Sequence, residues 1–164
     1  MPTPVLLISF LVVAANSYHV LSPWMTHVPG TVFTGIAHYY GDYFLYVSLM
    51  AQKGWMFTDH LFTNETLAPT WIYWLYTLLG KLGNPFVVYN VSIIVFSCML
   101  LWLLWHLVCQ IFSDKPVSRL VAFLFVTTAS NFAGSGDFWF SPTPALNRLG
   151  GVPHQIFQTI LVVL

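Results

Sequence analysis

Five acidic side chains in a chain of 164 residues are the first groups to consider for chemistry. Asp42, Asp59 and Glu65 all lie in one stretch from Gly41 to Gly80, although only 6% of the residues are charged. A carboxylate can act as a general base, taking a proton from an acceptor hydroxyl or amine as that acceptor attacks a sugar carbon. This stretch is therefore the strongest candidate for a catalytic site.

Asp42 is the strongest candidate for a catalytic group. It follows the first apolar helix and begins a short amphipathic segment, which predicts a carboxylate at the depth of the lipid headgroups. Partial removal from water at that depth raises the pKa of a carboxylate and makes it a stronger base. The structural alternative is that Asp42 only caps the N-terminus of its own helix and opposes the helix dipole.

Other polar residues have the chemistry to hold a phosphate-linked substrate. Glu65 and His60 offer ligands for a divalent cation, which would help to neutralise a phosphate leaving group. Lys53 and Arg148 can each pair with a phosphate, although Lys53 can equally extend from the end of its helix to water. Asp137 and Arg148 can instead form an ordinary ion pair. The predicted substrate-binding residues are Glu65, Lys53, Asp137 and Arg148.

The composition indicates a lipid environment for the elements that carry these residues. The chain is 57% hydrophobic, with a mean hydropathy of +0.74. Its charged fraction lies far below the roughly 25% of a soluble domain. No basic run is present to bind nucleic acid, and the net charge is zero. The sequence therefore predicts an all-α, polytopic bundle of transmembrane helices, and we expect the bacterial cytoplasmic membrane as its location.

Apolar runs and glycine or proline breaks divide the chain into helical segments and polar loops. Predicted spans cover residues 4–22, 67–82, 85–112, 117–133 and 153–164. A span needs about 20 apolar residues, so 67–82 is marginal for a full crossing and 153–164 is incomplete. The predicted polar loops are 23–66 and 134–153. The first of them is expected to be extracytoplasmic and to contain interfacial helices. We therefore expect residues 1–164 to be the N-terminal part of a single multi-pass membrane domain.

Two segments carry further predictions. The first helix has no Lys or Arg before it, which favours an uncleaved span over a signal peptide. A short helix is predicted from Asp42 to Lys53, and it should lie in the membrane interface with its apolar face toward lipid. That face consists of Tyr43, Tyr46, Val47 and Met50. The aromatic run at 71–76 is typical of a membrane belt more than of a sugar-binding platform.

The order of these features resembles the first extracytoplasmic loop of the GT-C glycosyltransferases. The most similar group is that of the dolichyl-phosphate-mannose protein mannosyltransferases and the aminoarabinose transferases. The matching motifs are Asp42-Tyr43, Gly54-Trp55, Phe62-Thr63-Asn64-Glu65, Pro69 and Leu79-Gly80-Lys81. The chain departs from the pattern at Tyr43, where many members have a second acidic residue. It also has Leu67-Ala68-Pro69 where members have Lys-Pro-Pro, so the lysine for the carrier phosphate is missing.

The resemblance implies transfer of a sugar from a polyprenyl-phosphate carrier to an acceptor on the outer side of the membrane. Asp42 would occupy the catalytic acidic position of the family. Glu65 would match an acidic residue that lies at a metal or acceptor site in some members. The alternatives are a transporter or channel fragment and a non-catalytic membrane assembly subunit. The nearly uncharged predicted spans argue against a transmembrane pathway.

Overall fold

In the computed structural model, most of the described residues are in helices. It describes residues 1–25, 29–30, 40–52, 57–58, 66–67, 71–128 and 153–164, without the side chains of 16, 18–24, 40–42, 57–58, 66–67 and 128. Within these ranges the chain forms six helices and one very short pair of strands. The predicted all-α class is therefore confirmed.

Five of the six helices overlap the predicted apolar segments, and α2 lies in the predicted loop 23–66, where a short helix is expected. They are α1 (Thr3–Met25), α2 (Tyr40–Gln52), α3 (Trp71–Gly80), α4 (Pro85–Ile111), α5 (Pro116–Thr128) and α6 (Pro153–Val163). The strands β1 (Phe57–Thr58) and β2 (Thr66–Leu67) pair antiparallel, with Phe57 opposite Leu67 and Thr58 opposite Thr66.

The start of α3 differs from the prediction of a helix from residue 67. Leu67 belongs to β2, and the helix begins only at Trp71. Pro69 argues against a helix that runs through residue 68, because a proline disfavours helical backbone at the residue before it. With ten residues, α3 is about 15 Å long and too short to cross a bilayer.

Among the described residues, α4 is the one helix that is both long enough and apolar enough to cross a membrane. Its 27 residues extend about 40 Å, against a hydrocarbon core of about 30 Å. The helix begins as predicted at Pro85, where a missing N–H has no cost. The Asn84 Oδ1 atom accepts hydrogen bonds from the backbone N–H groups of Phe86 and Val87, at 3.0 and 3.4 Å, and so caps the helix.

The chain divides into two compact units, each with its own aromatic contacts. One unit comprises Met1–Tyr18 and Ile93–Leu164, and the other comprises His19–Ser92. In the first unit, the rings of Trp105 and Phe123 meet edge to face with centroids 5.6 Å apart, which joins α4 to α5. Phe96 and Phe157 lie 5.4 Å apart and join α4 to α6. The second unit contains the sequence stretch with the candidate carboxylates.

Candidate functional site

Asp42 lies in the first turn of α2, as its third residue. The helix begins at Tyr40, two residues earlier than predicted, so Asp42 is not the capping residue that precedes a helix. A carboxylate in the first turn still interacts favourably with the helix dipole. The structural alternative is therefore that Asp42 only stabilises α2 from within its first turn. The Asp42 side chain is outside the described part of the structure.

The apolar face of α2 packs against protein. Tyr43, Val47 and Met50 are almost completely buried, and α2 packs against α3. Tyr46 stacks on Tyr76 of α3, with ring centroids 4.5 Å apart and an angle of 16° between the ring planes. The predicted helix face is therefore confirmed. The prediction that this face lies against lipid is wrong, because α3 and the beginning of α4 cover it.

Tyr43, the neighbour of Asp42 in the sequence, is held by the beginning of α4. Its ring meets that of Tyr89 edge to face, with ring centroids 4.7 Å apart. The ring centroids of Tyr43 and Phe86 are 6.2 Å apart. Its hydroxyl forms a hydrogen bond with Asn90, which also donates from Nδ2 to the Phe86 carbonyl at 3.0 Å. Because neighbouring residues of a helix share one rigid backbone, these contacts of Tyr43 fix the turn that carries Asp42.

Gly80 allows α2 and α3 to approach closely. A Cβ atom at Gly80 would lie 2.9 Å from the carbonyl carbon of Met50 and 3.0 Å from its Cα, and it would also overlap the carbonyl oxygen. Only a residue without a side chain fits there. Leu79-Gly80-Lys81 is also one of the motifs that carry the family resemblance, and the structure gives its glycine a local packing role.

The other predicted site residues lie outside the described part of the structure. They are Glu65, Lys53, His60, Asp137 and Arg148. The segment with His60 and Glu65 begins after Thr58 and ends before Thr66, which are paired across the strands. Among the described residues, no group of three or more His, Cys, Asp or Glu could hold a metal ion. The divalent-cation site at Glu65 and His60 stays a prediction.

Sequence reasoning missed the residues on α4 that hold the first turn of α2. Tyr89 and Asn90 are both buried, at 3% and 4% exposure. Asn90 gave a usable signal, because a polar side chain within an apolar helix has to find a hydrogen-bond partner. The position of Tyr89 one residue before it gave no comparable signal.

The contacts described above do not identify a family, and the resemblance in sequence to the GT-C glycosyltransferases stays a prediction. No family model, curated protein or solved structure matches the chain. What the site can do therefore follows from its own residues: an aspartate in the first turn of a helix, a buried tyrosine next to it in the sequence, and an asparagine that bonds to this tyrosine.

The hydrogen bond between Tyr43 and Asn90 predicts a measurable coupling. We expect Asn90→Leu to destabilise the fold by about 1–3 kcal/mol, because it removes the partner of a buried hydroxyl. In the Tyr43→Phe background the same change should cost less, with a coupling free energy of about 1 kcal/mol. A double-mutant cycle of unfolding free energies measures this coupling, and additive effects would contradict it.

Tyr43 also predicts a loss of stability at alkaline pH. Burial raises the pKa of the Tyr43 phenol above its ordinary value of 10.0, and this effect exceeds the lowering by Asn90. Since the folded state holds this proton more tightly, the stability linked to Tyr43 is fully present below about pH 10. It is lost as pH rises through the raised pKa. Thermal unfolding between pH 8 and 11 should show a smaller decline for Tyr43→Phe than for the original chain.

Proposed function

We propose that this protein is a multi-pass membrane glycosyltransferase that moves a sugar from a polyprenyl-phosphate carrier to an acceptor on the extracytoplasmic face. The observation that carries the proposal is the position of Asp42 in the first turn of α2. That turn is held against the beginning of α4, the long apolar helix, through Tyr43. A helix turn anchored beside the start of a membrane span would hold Asp42 near the depth of a lipid-linked phosphate.

The proposed reaction is a displacement at the sugar C1 atom. Asp42 takes the proton from the acceptor hydroxyl or amine as the acceptor atom forms its bond to C1. The bond between C1 and the phosphate oxygen breaks with inversion, and polyprenyl phosphate leaves with the electron pair. Glu65, Lys53, Asp137 and Arg148 are the proposed substrate-binding residues. A divalent cation at Glu65 and His60 would neutralise negative charge on the phosphate.

Exposed apolar side chains support the multi-pass membrane placement. Soluble monomers rarely expose large continuous apolar patches, so lipid is the expected cover for such surfaces. Large apolar residues exposed on α1, α4 and α5 include Leu7, Phe10, Val91, Val95, Trp102, Val121 and Phe125. With 23 residues, or about 34 Å, α1 is also long enough to cross the bilayer. We place the protein in the bacterial cytoplasmic membrane.

A transfer assay in proteoliposomes tests the proposal. The complete protein, reconstituted with radiolabelled polyprenyl-phosphate sugars, should release polyprenyl phosphate and label an acceptor. A matched reaction with a sugar nucleotide as donor should give no product. Failure with every lipid-linked donor in a well-folded preparation, together with solute flux across the same vesicles, would favour the transporter alternative.

A non-catalytic assembly subunit is the second candidate, and one observation favours it. A carboxylate in the first turn of a helix stabilises that helix without any chemistry. For such a subunit, Asp42→Asn would lower the melting temperature slightly and leave the activity of the assembly unchanged.

A further inference from the structure

Helix α3 has two opposite faces of different character. The residues buried against the rest of their unit are Tyr76, Thr77, Leu79 and Gly80. Trp71, Trp74 and Leu78 are exposed, the last two by 53% and 58%. At 3.6 residues per turn, these three side chains fall within about 60° of one another and point away from the buried face. We call these three residues the tryptophan face.

A short connection joins α3 to α4, and it limits how far the tryptophan face can lie from the start of α4. α3 ends at Gly80 and α4 begins at Pro85, so at most about 17 Å of extended chain separates the two helix ends. With α4 crossing the bilayer, as the proposed function requires of this long apolar helix, the end of α3 would lie near the membrane surface. Lys81 and Leu82, which follow the helix, are both exposed.

From these observations we propose that the tryptophan face of α3 binds the lipid bilayer and that α3 lies in the membrane interface. Tryptophan is the side chain most suited to this depth, because its ring is largely apolar and its N–H can bond to headgroups or water. A helix of this length buries its apolar face about 5–10 Å into the boundary between headgroups and acyl chains. The inference rests on the membrane placement in the proposed function and is independent of the sugar transfer.

The arrangement assigns a depth to α2. Helices in contact have axes about 8–10 Å apart, and the close approach at Gly80 favours the lower value. Because α2 packs on the side of α3 opposite to the tryptophan face, its axis lies about 8 Å farther from the hydrocarbon. The first turn of α2 then lies in the headgroup layer, where the phosphate of a lipid carrier is found.

Spin-label depth measurements test the proposal on the full chain. In a background with Cys98→Ser and Cys109→Ser, nitroxides are attached to Trp74→Cys and Leu78→Cys, and the protein is reconstituted in phosphatidylcholine and phosphatidylglycerol vesicles. Asp114→Cys, at an exposed turn, is the water-exposed control. We expect collisions with oxygen to exceed those with a nickel chelate at 74 and 78, with a depth of about 5–10 Å below the phosphates. The order should reverse at 114.

Two outcomes would overturn the proposal. Nickel-chelate collisions at 74 and 78 as frequent as at 114 would show that the tryptophan face is in water. Dipolar broadening between labels on different molecules, at low oxygen accessibility, would show that a second copy of the chain covers it. Neither outcome affects the transfer assay, so failure here is distinguishable from failure of the proposed enzymatic activity.

Discussion

Asp42→Asn in the complete protein is expected to abolish sugar transfer while membrane insertion remains intact. An amide of the same shape cannot take a proton from the acceptor, and the loss of a general base lowers kcat by about 10²–10⁴-fold. The loss of one first-turn charge costs the helix only about 0.3–1 kcal/mol. The measurement is initial-rate transfer at saturating donor, with insertion followed by carbonate extraction.

Asp114→Asn is the matched control for this experiment. Asp114 is an exposed aspartate in the turn between α4 and α5, where its Oδ2 accepts a hydrogen bond from the Ser113 hydroxyl at 3.3 Å. The chemical change is identical, and we expect transfer within a factor of about two of the unsubstituted rate, since exposed substitutions of this kind have small effects. Equal activity of the two variants would remove Asp42 from the mechanism.

Gly80→Ala is expected to destabilise the contact between α2 and α3, although alanine favours helix by about 1 kcal/mol over glycine. The added methyl group would overlap the backbone carbonyl of Met50, and a backbone group cannot turn aside as a flexible side chain can. Overpacking of this kind costs about 1–3 kcal/mol. We therefore expect a net loss of stability, seen as a lower melting temperature in detergent by about 2–4 °C for each kcal/mol.

Ala51→Leu provides the comparison for Gly80→Ala. Ala51 follows Met50 in α2 but is exposed, so the larger side chain adds bulk without entering the contact. Its melting temperature should stay close to that of the original chain. A Gly80→Ala variant that is as stable as Ala51→Leu would show that the two helices separate at no cost, against the close packing described for them.

The helices were predictable because their signals are local. The apolar run from Pro85 gives α4 its start directly, and the spacing of Tyr43, Val47 and Met50 gives α2 its buried face. These patterns follow from the 3.6-residue period and from the conformational restriction of proline. Periodicity shows that a face is covered, but it does not show by what.

The partner of the α2 face was not predictable for that reason. Lipid and protein both select apolar side chains, so Tyr46 looks the same whether it faces acyl chains or stacks on Tyr76. The aromatic run at 71–76 has the same ambiguity. Its residues divide between the buried Tyr76 and the exposed Trp71 and Trp74. That division depends on which side of α3 receives α2, and this is a property of the tertiary fold.

The contacts of the candidate site depend on residues far apart in sequence. The hydrogen bond between Tyr43 and Asn90 joins two segments that no local pattern relates. The sequence points to Asp42 because it lies at the start of a short amphipathic helix and because of the GT-C resemblance. The structure adds the anchoring of its helix turn to that choice. The roles of Glu65, Lys53, His60, Asp137 and Arg148 stay predictions that rest on charge and ligand type alone.

The most direct test of the central claim is the side of the membrane on which position 42 is accessible. Asp42→Cys, in a background with Cys98→Ser and Cys109→Ser, is treated with a membrane-impermeant maleimide in right-side-out and in inverted vesicles. We predict labelling in right-side-out vesicles and protection from the label by a polyprenyl-phosphate sugar. Labelling only in inverted vesicles, or no labelling in either orientation, would contradict a general base at the extracytoplasmic surface.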